Sequence, residues 1–297
     1  MQFGPLEMEL PDPPLRSPHA VVMVRPWINV GNVGAMVLGK LKNTFGGVEI
    51  GRLSRPGRFY DFTRYRPEMK LVEGERHVTV PNTVILAARR AEPPDLVLVH
   101  LLEPHAHAED FNEAIVDLLQ AMNVSAYVSV GSMYDSVPHT RPIIVSGSTR
   151  GWDTAPSLGG ITLARSNYEG PTSITGQIPL MCLERGMATL SLMTRLPLYV
   201  QLENDFAGCA RVLEILAPLY GLGDSSAERD LGRRQYEQIT PAVLANSQLS
   251  ELVHKLEREY DAKPREEAHG RVELSPEIEK FLDELRRGTE NSGGEDA

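Results

Sequence analysis

Apolar positions along the chain change their period from segment to segment, and those changes mark out the elements. Residues 20–25 form a short apolar run, followed by residues 31–45 with apolar positions three and four apart; residues 95–102 and 109–122 repeat the arrangement, and 124–130 is a further run stopped by Gly131. Short runs alternating with helix-period segments predict parallel strand-helix units. Between the first two units, residues 48–53, 69–72, 76–80 and 83–89 come without long helices and are separated by Gly57, Gly74 and Pro81. That pattern predicts an antiparallel insertion or edge. The second half resumes with a strand at 143–145, a helix over 174–185, a strand over 188–193 and a helix over 205–220 that ends at Gly221 and Gly223. Further on, Ser225 and Glu228 have capping-box spacing, Thr240-Pro241 has a helix-start pattern, and Leu249, Leu252, Val253, Leu256 and Tyr260 recur at three and four. An apolar stripe of this kind needs a surface to bury it, either a neighbouring subunit or its own domain.

The expected architecture is α/β, a mostly parallel central sheet flanked by helices, with a C-terminal helical appendage. Residues 1–19, with Pro5, Pro11, Pro13, Pro14 and Pro18, are expected to be a disordered lead-in; 20–222 an α/β domain; 223–287 a helical extension with a last short helix at 275–287; and 288–297 a disordered tail.

Composition narrows the function classes. A chain of 297 residues with 41% hydrophobic content can bury a sizeable core, and its net charge of -10 is concentrated late, with 18 acids against 11 bases in residues 224–297. No basic stripe is present to neutralise phosphates, which argues against nucleic acid as a partner. Residues 1–20 have neither a cationic start nor an apolar stretch, so no signal peptide or membrane anchor is expected and the protein is predicted to be cytoplasmic. Cys182 and Cys209 each sit in an apolar helical pattern and are expected to be buried and reduced.

Candidate chemistry clusters after predicted strands. Val137-Pro138-His139-Thr140-Arg141-Pro142 holds a His and an Arg in the same two-residue phase between two prolines, at the strand end where open parallel sheets place ligands. The alternative is structural, with the pair tying the loop to a nearby carboxylate such as Asp135. Gly31-Asn32-Val33-Gly34 opens a helix after the first strand, where N–H groups and the helix dipole could hold an anion, but it lacks the third glycine of a dinucleotide fingerprint. The competing reading is a tight turn that lets helix meet sheet. Arg64 and Arg66 share one side if their segment is extended, which suits an acidic partner or phosphate, or simply a solvated surface. His105 and His107 have the spacing of a strand-end metal pair, yet a loop rich in His, Glu and Asp equally describes a helix entrance. No Gly-x-Ser-x-Gly elbow is present.

Taken in order, Arg25-Pro26-Trp27-Ile28-Asn29-Val30-Gly31-Asn32-Val33-Gly34, Phe59-Tyr60-Asp61-Phe62-Thr63 with Arg66-Pro67, Glu103-Pro104, Val137 to Pro142, and Asn167-Tyr168-Glu169-Gly170-Pro171-Thr172 resemble the proteasome assembly chaperone family, over about residues 21–222. The extension beyond Gly223 looks like that of longer bacterial members. The resemblance implies a nucleoside-phosphorylase-like α/β fold and a non-enzymatic, oligomeric escort, a trimer as first expectation, acting on proteasome α-type subunits or another client. It implies no cofactor, and the two histidines of 105–107 are not part of the pattern, so no metal is expected. Fold kinship does not transfer chemistry. The alternative is a hydrolase- or phosphorylase-like enzyme that holds a small anionic or nucleoside-like ligand with the Gly31 to Gly34 backbone and Arg141, using His139 or Asp135 as acid or base. On either reading the ligand- or partner-binding candidates are Gly31, Asn32, Gly34, Arg64, Arg66, His139 and Arg141, with no catalytic set complete.

Overall fold

In a computed structural model that describes residues 2–164 and 169–262, nine strands form one sheet in the order β1-β2-β4-β7-β8-β3-β9-β11-β10. The four central strands, β8 (Leu96–Leu102), β3 (His19–Arg25), β9 (Ala126–Asp135) and β11 (Ala188–Pro197), run parallel. Antiparallel strands close both flanks: β10 (Val145–Arg150) on β11, and β7 (Val84–Ala88), β4 (Val48–Leu53), β2 (Leu6–Met8) and β1 (Gln2–Phe3) beyond β8. The expected insertion is therefore split: β4 and β7 join the sheet, whereas β5 (Glu68–Val72) and β6 (Glu75–Thr79) pair only with each other as a separate hairpin.

Side chains that alternate along each strand feed two cores. Val21 and Met23 pack with α1 (Val33–Phe45) and α4 (Phe206–Tyr220) on one face of the sheet; Ala20, Val22 and Val24 pack with α2 (Ala108–Ala121) and α3 (Ile174–Glu184) on the other. The result is a three-layer helix-sheet-helix arrangement. Cys182 and Cys209 lie in these two cores, where burial pushes both thiols up to about 12.

The expectation of a disordered lead-in over 1–19 is corrected by the fold. Leu6 and Met8 are buried as β2 pairs with β4, an alternation too short to register against five prolines. Past β2, the Arg16 backbone and guanidinium both donate to the Asp95 carboxylate at 2.8 Å. Burial alone would raise that carboxyl, but the bonds from Arg16 and from the Arg90 N–H overcome it and hold it near 2.

Strand β9 does not stop at Gly131 but continues to Asp135, in register with β11 up to Pro197. At Gly131 a side chain would meet Ile28 Cδ1 at 2.8 Å and the Ile28 carbonyl at 3.1 Å, so the glycine admits the 28–30 segment rather than ending the strand.

Among the described residues the extension folds as two helices, α5 (Ser226–Ala245) and α6 (Ser247–Ala262). Thr240-Pro241 does not start a helix. It lies inside α5, where the Thr240 hydroxyl donates to the Tyr236 carbonyl at 2.8 Å and so satisfies a backbone acceptor one turn back. The apolar stripe of α6 is buried by its own chain: Leu249, Leu252, Val253 and Leu256 close a third core with Tyr199, Val200 and Val243. The helix expected at 275–287 and the tail at 288–297 lie outside the described residues.

Candidate functional site

The loop after β9 is held from beneath. Asp135 at the strand end forms a buried ion pair with Arg195 of β11 at 2.6 Å, and Arg195 Nε donates to Ser146 Oγ at 3.2 Å. The Asp135 carbonyl accepts from the N–H groups of Val137 and Leu198. Asp135 is thus not the carboxylate that meets the His139 and Arg141 side chains; its charge is matched by Arg195.

His139 is buried, with both ring nitrogens engaged. Tyr199 Oη accepts from the His139 backbone N–H at 2.8 Å, which leaves its own proton for His139 Nδ1, also at 2.8 Å. Thr240 donates to the Tyr236 carbonyl, so its oxygen is free to accept from His139 Nε2–H at 3.2 Å. The network therefore fixes a neutral imidazole protonated on Nε2. Burial lowers its pKa, and the Glu257 carboxylate opposes this only in part.

The next three residues reach α6. Thr140 Oγ1 donates to Glu257 at 2.5 Å; Arg141 donates through Nε and Nη2 to both Asp261 oxygens at 3.0 and 2.8 Å and through Nη1 to Glu257 at 3.1 Å; and the Pro142 carbonyl accepts from Tyr260 Oη at 3.0 Å. Asp261, with Glu257, raises the Arg141 pKa; Arg141 in turn holds the Asp261 carboxyl below its usual range, and the Thr140 hydroxyl, helped by His254 and Arg141, does the same for Glu257. The prolines keep the segment in one shape while its polar groups grip the helical extension. Burial of four aliphatic side chains, worth about 1.5–3 kcal/mol each, supplies the main attraction for α6, and the solvent-facing ion pairs set its register.

Gly31 and Gly34 meet the same network from the opposite side. Gly31 has φ +56°, and a Cβ there would lie 2.8 Å from Asp205 Cβ. Its carbonyl accepts from the Asp205 N–H at 2.8 Å, and Asn32 Nδ2 donates to Asn204 Oδ1 at 2.9 Å. A Cβ on Gly34 would crowd Met23 Cβ and Asn29 Oδ1 at 3.0 Å, so its absence lets α1 lie close on the sheet. Asp205 caps α4 through Gly208 N–H at 2.7 Å and accepts from Tyr236 Oη at 2.8 Å; the Tyr236 ring stands edge-on to His139. Burial raises the Asp205 pKa, with those two bonds opposing it. Asp205 and Tyr236 thus couple the glycine turn to the His139 loop.

Arg64 and Arg66 stand apart from this network, by the end of β8, which β3 separates from β9. Residues 61–65 form a turn, so the extended geometry that would put the two arginines on one side is not met: Asp61 accepts from the Thr63 N–H and hydroxyl and its carbonyl from the N–H groups of Arg64 and Tyr65. Both arginines are exposed, and Arg64 lies 3.8 Å from Asp61. The turn is fastened to the Glu103–His107 stretch: His105 Nδ1 accepts from the Asp61 N–H, and Tyr65 Oη donates to the Glu103 carbonyl. His107 faces Asp110 and the Phe59 ring. Among the described residues no group of three His, Cys, Asp or Glu side chains is placed to hold a metal.

Sequence reasoning missed Tyr199, Asp205, Tyr236, Glu257 and Asp261. The one local signal was Glu257 and Asp261 at i and i+4, which put two carboxylates on one face of α6. It also passed over Trp27, which stands 62% exposed just beyond β3 at the same end of the sheet.

Three histidines make the fold acid-sensitive. Burial, with nearby Arg90 for His19 and Arg25 and Lys42 for His100, lowers both from 6.5 to about 4, and His139 is lowered as well. The unfolded chain therefore takes up protons first, so stability present above pH 6.5 is lost as pH falls toward about 4, by up to roughly 1.4 kcal/mol per unit of depression for each group. Below that, carboxylates such as Asp95 continue the loss. Urea midpoints measured at intervals between pH 7 and 4 should fall steadily; a flat profile would mean these histidines are not held neutral.

These features define a three-layer α/β protein whose strand-end loops are fastened to one another and to a C-terminal helical pair. The sequence profile of the PAC2 family matches residues 23–238, and the chain belongs to that family. A PAC2 family protein from Streptomyces avermitilis is similar at 28% identity, with a TM-score of 0.69 over 80% of this chain and 99% of its own. A Mycobacterium tuberculosis protein of unknown function reaches a TM-score of 0.73 at 21% identity over 97% of this chain and 93% of its own. A proteasome-assembly chaperone homologue from the same organism reaches 0.68 at 23% identity over 79% and 99%. Among curated proteins none matches. Among the described residues no helix is long and apolar enough to cross a membrane.

Proposed function

We propose that this chain is a non-enzymatic, homo-oligomeric assembly-chaperone-like protein of the cytoplasm that escorts proteasome or other client subunits. Family membership supports the reading, and the observation that carries it is how the strand-end groups are used. His139, Arg141, Asp135 and Asp205 are engaged with partners in their own chain, while Trp27 stands exposed nearby. Groups so engaged shape a surface; an exposed tryptophan is the kind of side chain that anchors a partner. Gly31, Asn32 and Gly34 on this reading build the turn behind Trp27, and Arg64 and Arg66 offer charge to an acidic client.

The test is affinity capture from the native host read by mass spectrometry, together with light scattering of the pure protein. Recovery of a proteasome α-type or other subunit with a defined oligomer is expected. A monomer that captures nothing would sink the reading, and a melting temperature raised by nucleosides or phosphate would move it to the enzyme alternative.

A further inference from the structure

The seam between the α/β domain and its helical extension holds a cleft of about 320 Å³, bounded by α4, α5 and residues 141–143. Ile143, Ala207 and Ala210 give it an apolar lining. Its charged lining is four arginines, Arg211 of α4, Arg229 and Arg233 of α5, and Arg141, against the single carboxylate of Glu214.

The four arginines are not equally committed. Arg141 is held by Asp261 and Glu257 of α6 and acts as a wall. Arg233 meets Asp230 and Glu237 of its own helix in exposed pairs, which contribute little and leave the side chain able to turn. Arg211 and Arg229 share Glu214: its Oε2 accepts from Arg211 Nη1 at 3.1 Å and its Oε1 from Arg229 Nε at 2.9 Å. The next acid, Asp224, is 4.0 Å from Arg229 and exposed. Arg211 Nε is buried without a hydrogen-bond partner among the described residues. Two guanidinium groups with five donors each therefore meet on one carboxylate, which leaves positive charge and fork-shaped donor pairs that a second oxyanion matches.

We propose that this cleft binds a small organic phosphate or carboxylate, its oxyanion held by Arg211, Arg229 and Arg233 and its apolar body set against Ile143, Ala207 and Ala210. An apolar lining with a few convergent polar groups is the usual build of a small-molecule site. Arg211 belongs to the domain and Arg229 and Arg233 to the extension, so one anion held by all three fastens α5 to α4. None of residues 31–34 lines the cleft, which separates it from the crevice of the enzyme alternative, and it does not depend on the escort reading.

Saturation-transfer NMR on the full chain, with phenyl phosphate and benzoate as probes, tests the site. At least one of the two should bind, and the tighter names the head group. Inorganic phosphate and benzyl alcohol, which carry the charge or the ring alone, should displace it only at concentrations about tenfold higher. Arg211→Gln and Arg229→Gln should each weaken binding about tenfold, and Arg211→Lys, which keeps the charge but not the fork, by less. Arg233 is 62% exposed, so Arg233→Gln weakens the same site without touching the fold. Arg64→Gln, in the turn by β8, should leave binding unchanged. Adding the bound probe to wild type should slow amide exchange in α5. Failure of both probes to bind, or binding that survives the glutamine variants at 211, 229 and 233, would overturn the site. Binding lost instead on Asn32→Gly would place the ligand in the crevice of the enzyme alternative and overturn it equally.

Discussion

Arg195→Met is expected to lower the unfolding free energy by about 3–5 kcal/mol, the largest single effect in the site. The substitution keeps most of the side-chain volume, so the loss is electrostatic: Asp135 remains buried with its partner charge removed. Asp135 also anchors the backbone on both sides of the sheet end, accepting from Val137 and Leu198, so disturbance there should spread into the 136–142 loop. Pairing Arg195→Met with Asp135→Leu removes both charges and should recover much of the loss. Denaturant midpoints at constant slope would measure all three proteins. A single variant within about 1 kcal/mol of wild type would contradict a buried, charged Asp135.

Gly232→Ala is expected to destabilise the protein by about 1–3 kcal/mol, although alanine favours a helix interior over glycine by about 1 kcal/mol. A Cβ at this position of α5 would run into the Ala207 backbone nitrogen and Cα. Those are backbone atoms at the start of α4 and cannot move aside, so α5 must lift. Lifting it pulls Tyr236 from Asp205 and Thr240 from His139. Gly39→Ala in α1 is the matched control, because a Cβ there meets nothing within 4 Å and should stabilise by up to about 1 kcal/mol. Equal effects at the two glycines would remove the argument for close α4–α5 contact.

How much of this was legible beforehand depends on the range of the signal. The helix-period segments that became α1, α2, α3 and α4, and the apolar runs of β3 and β8, were readable because period and burial agree locally. The lead-in was not, since Leu6 and Met8 gain their burial from β4, about forty-five positions away. Gly131 read as a stop because its reason, room for Ile28, is tertiary. Thr240-Pro241 read as a start because a threonine that bonds one turn back looks the same in sequence as a cap. The proline bracket made the 138–142 loop stand out and its stiffness could be inferred, but its partners could not. Arg141 meets Glu257 and Asp261 across separations of 116 and 120 residues, beyond any spacing rule.

The central claim is that this loop clasps the α5–α6 extension, and amide hydrogen exchange on Arg141→Ala tests it most directly. The account predicts faster exchange through α6 and the 198–202 segment, with the central strands β3, β8 and β9 as protected as in wild type. Unchanged protection of α6 would contradict it.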